Sequence, residues 1–198
     1  MPGPRPPLDI AAAERLVAQA SARTVVLVEG WSDQAAVETL APRCGLSLDA
    51  AGIVVLPIGG ATNMRLFAGR LGQRGLSLRL AGLVDAAEAR HVLRSLHDEV
   101  ERAAFFVCDA DLEDELIRAL GTAAVERVID AEGETSAFRR FQAQPAQRGR
   151  DLHTQLRRFM GTRAGRKIRY GTLLATALDL ERAPAPLARL IGHLRAPA

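Results

Sequence analysis

Residues 25–33 have the sequence VVLVEGWSD, which predicts a buried strand, a turn and a helix in succession. Four consecutive apolar residues, three of them β-branched, are typical of a strand buried in a sheet. Glu29 stands at its carboxyl end, where open α/β sheets gather their ligands. Gly30 permits a sharp turn, and Ser32 or Asp33 can cap the helix. Glu29 and Asp33 are therefore candidate ligands of one divalent ion, although a strand end followed by a helix cap and a solvated acid explains the same pattern.

The order of strand and then helix is repeated along the chain. Three further apolar runs predict strands, at residues 53–58, 80–84 and 104–108. Segments with helical spacing follow them, at residues 64–71, 87–102 and 112–120. Asn63 can cap the first of these helices, and residues 125–129 either add a short edge strand or begin a linker. The alternation predicts an α/β fold with a mostly parallel sheet flanked by helices.

The character of the chain changes after about residue 133. Large apolar residues from there onward are spaced for helices, with interruptions at Pro145 and Gly149. This spacing predicts a helical extension packed on the sheet domain. We therefore divide the chain into three parts, namely an N-terminal leader and short helix at 1–22, an α/β domain at 23–133 and a C-terminal helical extension at 134–198.

Two more predicted strands end in acidic residues. Asp85 ends the third strand, and Ala87 and Glu88 lie just beyond it. The fourth strand is followed by residues 109–115, DADLEDE, in which five of seven residues are acidic. So many carboxylates repel one another unless a cation is nearby, which favours a metal site. An acidic first turn that complements the helix macrodipole is the alternative.

These acidic strand ends resemble the motifs of TOPRIM domains, the Mg²⁺-dependent catalytic modules of topoisomerases, primases and several nucleases. The Asp-Leu-Glu-x-x-Leu pattern at residues 111–116 further resembles the TOPRIM half of OLD-family ATP-dependent endonucleases. The chain departs from the usual second motif, Asp-x-Asp, because Ala87 takes the place of its second aspartate. No Gly-x-x-x-x-Gly-Lys-Ser/Thr nucleotide-binding motif occurs in the sequence, so the resemblance does not extend to the ATPase half. An ATPase partner acting in trans is one expectation.

The resemblance implies a nuclease that cleaves DNA phosphodiester bonds with two Mg²⁺ or Mn²⁺ ions. It implies catalytic roles for Glu29, Asp85 and Lys167, with Lys167 near the scissile phosphate. The implied metal ligands are Glu29, Asp33, Asp85, Asp111 and Glu113. The alternative is a degenerate TOPRIM module that binds nucleic acid or a partner protein with little or no catalysis, because Ala87 removes one carboxylate.

The arrangement of charge agrees with a nucleic-acid partner without deciding the matter. The net charge is only +3, but arginines are concentrated between residues 139 and 169. We expect Arg163, Arg166 and Arg169 to contact phosphates. A basic surface loop, or the arginine-rich composition of a GC-rich genome, explains the same residues.

Other classes of protein receive little support. Cys44 and Cys108 lack the spacing of a zinc site or a disulfide framework, and the four histidines share no metal-ligand spacing. The first residues are too rich in proline for a signal peptide, and no apolar run has the length of a transmembrane helix. We therefore expect a soluble, cytoplasmic protein.

Overall fold

The computed structural model describes residues 8–96, 99–163 and 165–196. Its sheet has four parallel strands in the order β2-β1-β3-β4. The strands are β1 (Thr24–Val28), β2 (Ile53–Pro57), β3 (Arg79–Asp85) and β4 (Phe105–Cys108). The predicted α/β fold with a parallel sheet flanked by helices is confirmed.

Helices make up the rest of the architecture, with short 3₁₀ turns at Ala61–Asn63, Pro145–Gln147 and Leu180–Arg182. Those before and between the strands are α1 (Ile10–Gln19), α2 (Trp31–Arg43), α3 (Met64–Leu71), α4 (Ala86–Ser95) and α5 (Glu99–Ala103). Those after the last strand are α6 (Leu112–Leu120), α7 (Thr122–Ala131), α8 (Thr135–Gln142), α9 (Leu152–Met160), α10 (Arg166–Ala177) and α11 (Ala185–Arg195). Within the described part of the chain, no helix combines the length and apolar character needed to cross a membrane.

The sheet is covered on both faces, which explains why β1 is apolar throughout. Val25 and Leu27 pack into a core formed with α1, α3 and α4. Val26 and Val28 point to the opposite core, formed with α2 and the C-terminal helices. Alternate side chains of a strand face opposite sides of a sheet, so both sets must be apolar when helices cover both sides.

The C-terminal helices are fixed to the sheet layer mainly through α10 and α2. A Cβ atom added at Gly171 would lie 2.6 Å from the carbonyl oxygen of Ser32, so only glycine permits this close approach. At the other end of α2, Arg43 donates hydrogen bonds to the carbonyl oxygens of Ala175 and Leu178, at 2.6 and 2.8 Å. Because Lys167 lies one turn before Gly171, this packing sets where the Lys167 side chain enters the fold.

Two predicted elements differ from the structure. Residues 125–129 form neither an edge strand nor a linker but part of α7, with Val125 and Ile129 buried. Their spacing of four residues is that of one helix face. The single helix predicted over 87–102 is also wrong, because α4 ends at Ser95 and α5 begins at Glu99.

The predicted helix caps and the N-terminal helix need smaller corrections. The N-cap of α2 is Gly30, and Asp33 lies inside the first turn. Asn63 occupies the N-cap position of α3 as predicted, but its side chain makes no capping hydrogen bond and instead donates to the Ile58 carbonyl oxygen, at 2.7 Å. The short N-terminal helix is α1, which buries Ala13 and Val17. The predicted leader lies largely outside the described residues.

Candidate active site

The carboxyl ends of β1, β2 and β3 meet around Glu29. The backbone N–H of Asp85, at the end of β3, donates to Glu29 Oε1 at 3.4 Å. The amides of Gly59 and Gly60, which follow β2, donate to the Glu29 carbonyl oxygen at 3.0 and 3.2 Å. Both glycines have positive φ angles, 75° and 111°, which side chains disfavour. The turn after β2 therefore holds the backbone on which the Glu29 side chain stands.

Asp33 is brought to the same edge by the start of α2. Its Oδ2 accepts a hydrogen bond of 2.7 Å from the Gly30 N–H, one of the free amides at the helix N-terminus. The helix macrodipole also favours a negative charge at this end. The interaction fixes the Asp33 carboxylate beside Glu29, as the sequence predicted, but from within the helix.

Glu29, Asp33 and Asp85 form one electrostatic cluster. Burial raises the pKa of Glu29, and the charge of Glu88 raises it further. Burial and the charge of Glu113 raise the pKa of Asp33 to about 7. Burial and the charge of Glu29 raise the pKa of Asp85 to about 8. These carboxylates are close enough to disfavour one another's charge, so the metal-free cluster retains protons near neutral pH.

Glu113 and Lys167 complete the cluster from α6 and α10. Glu113 is only 2% exposed, and neither of its carboxylate oxygens accepts a hydrogen bond of regular geometry from a residue that the structure describes. Lys167 Nζ lies 3.1 Å from Glu113 Oε2 and forms an ion pair with it. Burial lowers the pKa of Lys167, but the charges of Glu113 and Asp33 outweigh it and raise the pKa above its ordinary value. Lys167 is thus a fixed positive charge among these carboxylates.

Asp111 is engaged differently. It is the N-cap of α6, and its Oδ1 accepts a hydrogen bond of 2.9 Å from the Asp114 N–H. Its Oδ2 accepts two from Arg157, at 2.8 Å from Nε and 2.6 Å from Nη2. Both oxygens therefore have partners, and Arg157 competes with a cation for Oδ2 of Asp111, the predicted metal ligand.

The remaining acids of residues 109–115 are paired with basic side chains of the chain. Arg118 pairs with Asp109 at 2.7 Å, with Asp114 at 3.3 Å and with Glu115 at 2.9 Å. His153 also contacts Asp114, at 2.7 Å. Mutual repulsion in this run is thus relieved by side chains of the protein, so it does not by itself require a metal. Arg157 and His153 were not predicted from the sequence, because each lies about 40 residues or more from its partner.

The three arginines predicted to contact phosphates have different environments. Arg163 is exposed, whereas Arg169 pairs with Glu134 at 2.9 Å. Arg166 is buried, pairs with Glu134 at 2.8 Å and stacks 4.1 Å from the centre of the Phe159 ring. The structure therefore contradicts the predicted phosphate contact of Arg166, which is part of the protein interior.

The carboxylates of the cluster are suitable ligands for a divalent cation. Mg²⁺ and Mn²⁺ prefer carboxylate oxygens. The buried Glu113 carboxylate already has the Lys167 ammonium as a counter-charge, at 3.1 Å, so its burial alone does not require a metal. Among the residues that the structure describes, no three His, Cys, Asp or Glu side chains are close enough to hold an ion. The donors are thus gathered at one edge of the sheet, and they must move closer together to surround a cation.

Comparison with known proteins supports an assignment of the domain. Residues 22–86 match the family described as overcoming lysogenization defect protein-like, TOPRIM domain. The C-terminal region of the Burkholderia pseudomallei OLD protein is 22% identical, with a TM-score of 0.67 over 88% of this chain and 97% of that one. The C-terminal region of the Xanthomonas campestris pv. campestris OLD protein is 27% identical, with a TM-score of 0.69 over 88% and 93% of the two chains.

No curated protein matches the sequence. The matched segment includes Glu29, Asp33 and Asp85, and the fold shared with the two OLD proteins extends to most of the C-terminal helices. The predicted resemblance is confirmed: residues 22–86 match the OLD-like TOPRIM family, and the fold is similar to that of the C-terminal regions of OLD proteins.

Proposed function

We propose that this protein is a divalent-metal-dependent nuclease that cleaves DNA phosphodiester bonds. Its OLD-like TOPRIM fold is that of a nuclease-type module. The observation that carries the proposal is the cluster of Glu29, Asp33, Asp85 and Glu113 around one lysine, Lys167, at the carboxyl edge of the sheet. Buried like charges are retained at a cost to stability, which is typical of a site that binds cations.

The residues of the cluster have distinct roles in this proposal. Glu29, Asp33 and Asp85 would hold one cation, and Glu113 a second, together with Asp111 once Arg157 leaves it. When bound, two cations would stabilise the attacking and leaving oxygens of an in-line displacement. The half-exposed Lys167 can neutralise charge that develops on a phosphate oxygen. The Gly59–Gly60 turn keeps the Glu29 backbone fixed throughout.

The proposal predicts metal-dependent cleavage of plasmid DNA. Purified protein incubated with supercoiled plasmid and Mn²⁺ should produce nicked or linear DNA, because the carboxylates acquire the cations on which the displacement depends. The products are measured by gel electrophoresis. Excess EDTA should stop the reaction, and later addition of Mn²⁺ or Mg²⁺ should restore it. If neither metal produces nicking or linearisation, the proposed function is wrong.

The cluster also predicts that metal uptake releases protons. Carboxylates bind metal in their deprotonated form. With pKa values of about 7 for Asp33 and about 8 for Asp85, roughly one proton per chain or slightly more should be released at pH 7. Calorimetry of Mn²⁺ binding in two buffers of different ionisation enthalpy measures this number. It should approach zero at pH 9, and a heat independent of the buffer at pH 7 would contradict the prediction.

The same pKa shifts give the direction of the stability change with pH. Raised pKa values mean that the folded, metal-free protein binds protons that the unfolded chain has already lost. This contribution to the free energy of unfolding is fully present below about pH 4 and is lost as the pH rises to about 8. Metal binding should therefore stabilise the protein more at pH 8 than at pH 5.

A degenerate binding module is the second candidate. Ala87 is exposed in the first turn of α4 and provides no carboxylate, and within the described residues the acids do not close around an ion. The calorimetric titration separates the two candidates by stoichiometry. Two metal equivalents per chain support the nuclease, whereas one or none supports the degenerate module.

A further inference from the structure

A polar cavity lies outside the acidic cluster, between α3 and the two helices α4 and α5. Its volume is about 660 Å³. The charged and titratable residues in its lining are Arg65, Arg74, His91, Arg94, Glu101 and Arg102. Among the described residues of the lining, four guanidinium groups thus face one carboxylate, that of the buried Glu101, so this part of the lining is positively charged whether or not His91 is protonated. We call it the basic cavity.

Most of the positive charge in the basic cavity is available to a ligand. The side chains of Arg65, Arg74 and Arg94 are exposed and form no hydrogen bond or ion pair with any residue that the structure describes. Arg102 is held in place, because it donates to the carbonyl oxygens of Leu93 and Leu96 at 3.0 and 3.2 Å. Unpaired guanidinium groups that line one concave surface are suited to bind phosphate oxygens.

The basic cavity begins beside the catalytic edge of the sheet. One wall starts at Thr62, just after the glycine turn that binds the Glu29 carbonyl oxygen. The other wall is formed by α4, which follows Asp85 directly. Arg94 lies nine residues beyond Asp85, about 13 Å along the helix at 1.5 Å per residue. The cavity therefore leads away from the acidic cluster over a distance of about four nucleotides, at 3.4 Å each.

The lining favours the backbone of a strand over a free nucleotide. Among the described residues of the basic cavity there is no phenylalanine, tyrosine or tryptophan on which a base could stack. Base recognition usually needs such stacking or side chains placed at the base edges, whereas phosphate contacts need only positive charge. We propose that the basic cavity binds phosphates of the nucleic-acid strand that enters the catalytic edge, up to about four nucleotides from the scissile bond. This inference rests on the proposed nuclease function.

The experiment compares two double variants of the full chain. Arg65→Gln with Arg94→Gln removes two charges from the basic cavity. Arg127→Gln with Arg182→Gln removes two exposed charges elsewhere as a matched control. Binding of fluorescent double-stranded DNA of two unrelated sequences is measured by anisotropy in EDTA over a series of salt concentrations. Because EDTA prevents cleavage, the anisotropy reports binding only. A protein that binds DNA but never cuts it would therefore contradict the proposed nuclease function and not the proposed binding by the cavity.

The cavity variant should bind both DNA sequences about tenfold more weakly than the unchanged protein, and its salt slope should fall by about two. The control variant should retain most of the affinity. An equal loss in both variants would overturn the inference, and so would an unchanged salt slope or no measurable DNA binding by the unchanged protein. A thermal-shift measurement with inorganic phosphate tests whether the basic cavity instead binds a free phosphorylated ligand. Suppose that phosphate stabilises the unchanged protein and the control variant but not the cavity variant, while the cavity variant still binds DNA normally. The cavity would then be assigned to a free phosphorylated ligand, and the proposal would be overturned.

Discussion

Replacing Glu29 with glutamine is expected to reduce Mn²⁺-dependent cleavage of plasmid DNA at least about a hundredfold. Loss of a partner that only orients a metal ligand typically costs 10–100-fold, and Glu29 is proposed to be a ligand itself. The substitution preserves the size of the side chain and an oxygen that can accept the hydrogen bond from the Asp85 N–H. Gel-based initial rates at saturating Mn²⁺ measure the change.

The control for this prediction is Glu14→Gln, the same change on α1, where Glu14 pairs with the exposed Arg70. It should cleave at the rate of the unchanged protein. Glu29→Gln should also melt at the same or a higher temperature in EDTA, because it removes one charge from a cluster of like charges. A variant that keeps more than about a tenth of the original rate would exclude Glu29 as a catalytic metal ligand.

The sequence was sufficient to predict the sheet and the elements that carry the cluster. Parallel strands covered on both faces are largely apolar, so each appeared as a short apolar run, and three of the four had an acid at or just beyond the carboxyl end. The structure brings together Glu29, Asp33, Asp85, Glu113 and Lys167, whose charges shift one another's pKa values. Their proposed binding of metal remains a prediction.

Side-chain partners distant along the chain could not be predicted in the same way. Whether Asp111 faces an ion or an arginine depends on α9, which brings Arg157 to it from 46 residues away. Arg166 was misinterpreted because a run of basic residues resembles an exposed loop. A helical signal was nevertheless present, since Arg166, Tyr170 and Leu174 recur every four residues on one buried face of α10.

The second large effect that we expect is a loss of stability when the buried face of α10 loses its anionic partner, Glu134. Glu134 is the main anionic partner of Arg166, whose side chain is only 4% exposed, and it also accepts a hydrogen bond of 3.0 Å from Tyr170 Oη. Glu134→Ala should lower the free energy of unfolding by about 3–5 kcal/mol, because it leaves a buried guanidinium without its partner. Urea denaturation followed by circular dichroism measures the loss. Glu134→Gln, which keeps an acceptor oxygen, should lose less.

The matched control is Glu126→Ala on α7, where the ion pair with Arg139 at 3.4 Å is solvated and should contribute less than about 1 kcal/mol to the free energy of unfolding.

The pH dependence of stability distinguishes loss of the buried ion pair from a general packing defect. Although burial alone would raise it, the hydrogen bonds from Arg166 and Tyr170 lower the pKa of Glu134 below its ordinary value of 4.5. The contribution of the Glu134 charge to the free energy of unfolding is therefore present above pH 4.5 and is lost as the pH falls through the lowered pKa. The gap in stability between the unchanged protein and Glu134→Ala should thus narrow in acid. A gap that stays constant down to about pH 3 would show that Glu134 stabilises the fold through packing rather than through its charge.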